Sequence, residues 1–163
     1  MAETTTLYDT DFLHWTEEQA KALREAKGAN LPLDWENLAE EIESLGISQR
    51  AALRAQLRRV LHHLFKLEHH LFKLEASPAS DPRAGWRRSV RDAREEVEDI
   101  LQDSPSLRRE VAGLVAAQAA RAAKMAADDP ADHGESSDAI RAQLDKGGFT
   151  VEEVLGDWFP EKE

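Results

Sequence analysis

Apolar positions along this chain recur at helical spacing, and no segment alternates apolar and polar residues between turn signals as a strand would. The pattern predicts an all-α fold. A first helix is expected from Asp9 or Thr10 to near Gly28, with Phe12, Trp15, Gln19 and Leu23 on one face, before Asn30-Leu31-Pro32 breaks it. Asp34 suits the N-cap of a second helix, whose Trp35, Leu38, Ile42 and Leu45 follow one stripe and which Gly46 would stop. Ser48 would cap a third and longest helix running to about Glu75, ended by Ser77-Pro78 and Asp81-Pro82. On a wheel of about 100° per residue, Leu53, Leu57, Val60, Leu61, Leu64, Leu67, Leu71 and Leu74 share an arc, with Phe65 and Phe72 at its edge. That arc is the expected core.

Within the third helix, His62 to Glu68 is repeated letter for letter as His69 to Glu75. Seven residues are two helical turns, so the copy lengthens the helix without rotating its faces. His62 and His69 then oppose the leucine arc and point to solvent, while His63 and His70 flank it.

Asp81-Pro82 opens a fourth helix, with Trp86, Val90, Val97 and Leu101 as its stripe, and Ser104-Pro105 opens a fifth that reaches about Ala127 through an alanine-rich end. Asp128 to Glu135 has loop composition, and Asp138 to Asp145 is a weak helical run closed by Gly147-Gly148. Thr150 to Glu153 has capping-box spacing, and Phe149 with Val154 has staple spacing, so a short last helix and Trp158-Phe159 should fold back onto the bundle. The expected architecture is a single-domain helical bundle of about five main helices, with one unusually long third helix and short C-terminal elements. It spans residues 1–163, with 1–8 as a loose tail.

Composition narrows the function classes. The chain has 163 residues, enough for one ordinary core, and no cysteine, which removes disulfides, thiolate zinc sites and cysteine nucleophiles. The N-terminal MAETTTLYDTDF lacks a basic region followed by an apolar run, and no segment approaches the ~20 apolar residues of a membrane span. A cytoplasmic protein without membrane attachment is expected. The net charge of −11 is unevenly spread: residues 1–47 carry −8, residues 48–94 carry +7 and the remainder −10. The basic middle offers a polyanion-binding edge at Arg54, Arg58, Arg87, Arg91 and Arg94; the competing expectation, which we favour, is that these arginines pair internally with Glu36, Glu40 and Glu43.

The blocks YDTDFLHWTEEQAKALR from Tyr8, ENLAEEIESLG from Glu36, GWRRSV with Arg94 from Gly85, DSPSL from Asp103 and FTVEEVLGDWFP from Phe149 together resemble the bacterial helical family catalogued as domain of unknown function number twenty-nine. The resemblance covers nearly the whole chain. It implies an α-helical bundle and brings no catalytic residue or cofactor. The family segment similar to HHLFK usually occurs once, so the second heptad resembles a tandem insertion.

Candidate chemistry is sparse. Histidines at offsets of one, six, seven and eight do not chelate from one helix, which needs i and i+3 or i+4. A metal would have to combine His63 or His70 with Glu40 or Glu43 of the second helix; solvated or partly buried histidines are the default. Ser48, Ser104 and Thr150 are more simply caps than nucleophiles, and the tryptophans at 15, 35 and 86 more simply core than ligand box. No catalytic arrangement and no cofactor is expected. The leading expectation is a non-catalytic protein-interaction or self-associating module, using Leu71, Phe72 and Leu74 as an apolar patch. A nucleic-acid-associated protein using the arginine edge is the alternative, and a His/Glu metal enzyme the third.

Overall fold

The computed structural model describes residues 6–71, 83–128 and 138–161, and among them every regular element is helical. In chain order these are α1 (Leu7–Thr10), α2 (Phe12–Glu25), α3 (Trp35–Leu71), α4 (Arg83–Asp103), a 3-10 turn (Pro105–Glu110), α5 (Val111–Ala127), α6 (Asp138–Asp145) and α7 (Val151–Leu155). The chain falls into two compact units, Met1–Leu53 with Glu98–Glu110 and Arg54–Val97 with Val111–Glu163. Both α3 and α4 contribute residues to each.

In the first unit, the single helix expected from Asp9 or Thr10 is two. Asp11 adopts extended backbone between α1 and α2, and its carboxylate accepts from the His14 N–H, so it ends one helix and caps the next. Of the expected loose tail, Leu7 and Tyr8 are already helical, while residues 1–5 lie outside the described residues. The buried face of α2 is Leu13, Thr16 and Ala20, one residue, or about 100°, from the stripe read in the sequence.

The cause lies in α3. The expected stop at Gly46 and restart at Ser48 do not occur, and α3 runs unbroken over 37 residues. Asp34 does cap it, accepting from the Asn37 N–H at 3.3 Å. Gly46 is instead a point of close approach: a Cβ there would stand 2.5 Å from Thr16 Oγ1 and 2.8 Å from Leu13 Cδ1. Only glycine lets α2 sit this near, and that contact sets which face of α2 is buried. Mid-helix glycine costs about 1 kcal/mol relative to alanine, a loss that close packing offsets.

The second unit follows the pattern more closely. Leu57, Val60, Leu61, Leu64 and Leu67 of α3 are buried as expected, Phe65 is fully buried rather than at an edge, and Val90, Ala93 and Val97 of α4 are buried with them. Beyond these, α5 presents Val115, Ala119, Ala122, Ala123 and Ala126, small side chains that suit close helix approach. Gly147 and Gly148 end α6 with φ of 100° and 74°, the left-handed region that glycine enters freely. At α7, Thr150 Oγ1 accepts from the Glu153 N–H and Glu153 accepts from the Thr150 N–H, the expected capping box, with Phe149 and Val154 buried beside it.

Two expectations are corrected here. His69 does not face solvent but is 5% exposed, and neighbouring Lys66 is 6% exposed. Beside them Trp86 of α4 receives Lys66 Nζ 4.3 Å from its ring centroid and meets His70 edge-on at 4.6 Å. The fifth helix does not open at Ser104-Pro105: Pro105–Glu110 winds as a 3-10 turn and α5 begins at Val111. The helix end at Glu75, the breaks at Ser77-Pro78 and Asp81-Pro82, and the loop from residue 129 onward lie outside the described residues.

Candidate functional site

Two side chains organise the start of the first unit. Ser104, fully buried, accepts from the Leu13 N–H at 3.0 Å and donates to Gln49 Oε1 at 2.6 Å. In the opposite direction Asp11 accepts from the Ser106 N–H at 2.7 Å and from its hydroxyl at 2.9 Å. Each helical start therefore receives a cap from the other, which satisfies N–H groups that local sequence would leave open. Arg50 and Glu110 add a two-pronged ion pair, Nε to Oε2 at 2.7 Å and Nη2 to Oε1 at 2.8 Å. The guanidinium holds the Glu110 carboxyl below its usual pKa, chiefly by that hydrogen bond, and partial burial opposes it.

The same unit presents a cleft of about 320 Å³ lined by Tyr8, Asp9, Phe12, Gln49 and Asp103. Tyr8 and Phe12 meet at 5.9 Å with an interplanar angle of 74°, and Trp15 stands edge-on to Tyr8 at 4.9 Å and stacks on Phe12 at 5.8 Å. Asp9 accepts from the Thr6 N–H and hydroxyl. Sequence reading missed this site because Phe12 and Trp15 were assigned to a core stripe. The i, i+4, i+7 spacing of Tyr8, Phe12 and Trp15 was its visible signal.

Leu38 and Leu45, also assigned to core, are 39% and 47% exposed. They stand seven residues apart, hence on one side of α3, and Glu41 shares that side by i+3 and i+4 spacing. Leu31 and Leu33, just before the helix, are exposed as well.

In the second unit, Arg87, Arg91 and Arg94 of α4 place their guanidinium carbons 5.5, 5.3 and 4.9 Å from the centroid of Phe159. Arg94 donates to the backbone carbonyls of Val154 and Glu153 near the end of α7, and to that of Trp158 beyond it, at 2.7–2.8 Å. Burial lowers its pKa, Asp157 opposes that shift and Arg91 adds to it. Of the other sequence-chosen arginines, Arg58 donates to Gln118 Oε1 at 3.3 Å and Arg54 is exposed. The expected glutamate partners are taken otherwise: Glu43 pairs with Arg24 at 2.6 Å, and Glu36 with Lys27 at 3.5 Å.

The metal candidates are divided between the two units. Glu40 and Glu43 belong to the first unit, His63 and His70 to the second; His63 stacks on His62 and His70 on Trp86. Among the described residues no three His, Asp or Glu side chains are placed to hold a metal ion. Of the apolar patch, Leu71 is half-buried, and Phe72 and Leu74 lie outside the described residues. No helix among the described residues is long and apolar enough to cross a membrane.

A family model described as Domain of unknown function DUF29 matches residues 7–159. The chain belongs to this family. No curated protein and no solved structure matches it. In this DUF29 chain four of the five sequence blocks noted above meet in pairs. The block from Tyr8 and the block from Asp103 are joined by the Asp11 and Ser104 caps, and Arg94 with the closing block by its three carbonyls and Phe159.

Proposed function

We propose that this DUF29 protein is a non-catalytic interaction module, and that its partner contributes a basic amphipathic helix to the exposed leucine side of α3. The carrying observation is the exposure of Leu38 and Leu45 on one helix side. The carboxylate of Glu41 on that side, within a segment of net charge −8, supports a partner with Lys and Arg beside an apolar stripe. A second copy of this surface would set carboxylates against carboxylates. The arginine edge supports the nucleic-acid reading less well, because Arg94 is committed to backbone carbonyls and Arg58 to Gln118.

The test is fluorescence anisotropy with labelled helical peptides carrying leucines at i, i+3 and i+7, flanked by lysine in one and glutamate in the other. The lysine peptide is expected to bind with an affinity that falls with salt. In Leu38→Ser/Leu45→Ser, each lost leucine contact is worth about 1 kcal/mol, so affinity should drop at least tenfold with circular dichroism unchanged. Equal binding by the double variant, or binding of neither peptide, overturns the reading. A sedimenting dimer that the same substitutions dissociate would replace the basic partner with self-association.

A further inference from the structure

The cleft beside α1 offers a different chemistry from the leucine side of α3. Its walls include two aromatic rings at nearly a right angle and two carboxylates, within about 320 Å³. Tyr8 is 54% exposed although Phe12 and Trp15 pack around it, so its ring is held in place while remaining open to solvent. That rigidity matters, because a pre-set aromatic corner binds without ordering costs. The Asp103 carboxylate, at the last position of α4, takes part in no hydrogen bond or ion pair among the described residues. Asp9 is anchored from below by Thr6. Gln49 is anchored too, because its Oε1 accepts from Ser104.

We infer that this cleft binds an organic cation, an alkylammonium group. Aromatic faces attract such a cation through the ring quadrupole, while its methyl or methylene groups bury against the same rings. Asp103 and Asp9 supply the opposite charge. An anion is disfavoured by both carboxylates, and a purely apolar ligand would leave that of Asp103 desolvated without a partner. The group can arrive as a free amine or as an alkylated lysine side chain, which present the same chemistry to the cleft. This inference stands whether or not the leucine side of α3 docks a partner.

The experiment is a two-dimensional amide and indole NMR titration of the full chain with tetramethylammonium chloride, and separately with acetylated trimethyl-lysine amide, against sodium chloride at equal ionic strength. Saturable shifts are expected at Tyr8, Phe12, Asp103 and the Trp15 indole, absent with sodium chloride. Tighter binding of the trimethyl-lysine amide would assign the ligand to a side chain, and tighter binding of tetramethylammonium to a free amine. Loss of the Tyr8 face or of the Asp103 charge should each weaken binding by about fivefold to tenfold, in Tyr8→Ala and Asp103→Asn, whereas Tyr8→Phe should bind as the parent does. Both positions are exposed, so the amide spectrum elsewhere should be unchanged. No saturable shift with either cation, or equal affinity in Tyr8→Ala and Asp103→Asn, overturns the proposal.

Discussion

Replacing Ser104 by alanine removes one oxygen and disturbs two helical starts. The hydroxyl is fully buried, accepts from the Leu13 N–H and donates to Gln49 Oε1. Leu13 is 2% exposed, so its N–H in the variant has neither acceptor nor water. A buried unsatisfied donor costs about 1–3 kcal/mol. Gln49 is half-buried, and its amide can turn toward solvent, so that loss is about 1 kcal/mol. Together the substitution should cost about 2–4 kcal/mol, a large part of the roughly 5–15 kcal/mol that stabilises an ordinary domain. Urea unfolding followed by far-ultraviolet circular dichroism reads this directly. With a slope of about 2 kcal/mol per molar urea, the midpoint should fall by about 1–2 M. Ser106→Ala is the control, because its backbone N–H still donates to Asp11 and the cap survives; about 1 kcal/mol or less is expected there. A Ser104→Ala midpoint within about 0.3 M of the parent, at unchanged slope, would refute the exchanged caps as a source of stability.

Three further outcomes follow from the same geometry. Gly46→Ala should destabilise by about 1–3 kcal/mol despite alanine's helix propensity, since the new methyl meets Thr16 and Leu13, and Thr16→Ala should restore part of the loss in thermal melts. Glu110 has a folded pKa below its ordinary 4.5, so the unfolded chain binds the proton more readily; its contribution is present above pH 4.5 and lost as pH falls toward the folded value, and Glu110→Gln should flatten that part of the stability profile. Arg94→Lys should speed amide exchange in α7 and the residues after it, because an ammonium cannot reproduce the three-carbonyl fork; unchanged exchange would show that Phe159 alone suffices.

Several local signals were legible in the sequence, whereas the stop at Gly46 and the helix start at Ser104-Pro105 were overridden by the fold. The Asp34 cap, the Thr150 capping box, the Gly147-Gly148 stop and the leucine arc from Leu57 to Leu67 depend on residues within a few positions of one another, and period and cap chemistry are local signals. The candidate sites were much less legible. Leu38 and Leu45 have core spacing, but how much of a stripe is buried depends on where a neighbouring helix crosses, and Gly46 shifts that crossing toward Leu13 and Thr16.

By itself, the sequence determined that this protein is helical, where most of its helices begin and end, and to which family it belongs. The tertiary structure decided whether Gly46 ended a helix or admitted one, and that the cap at Ser106 came from Asp11 rather than from Ser104. It also covered Lys66 and His69, and sent Arg94 to backbone carbonyls rather than to glutamates. The physical reason is range. Backbone propensity and capping act over one or two turns, whereas the fate of a glycine, a buried hydroxyl or a guanidinium depends on atoms delivered from some 30 to 95 positions away.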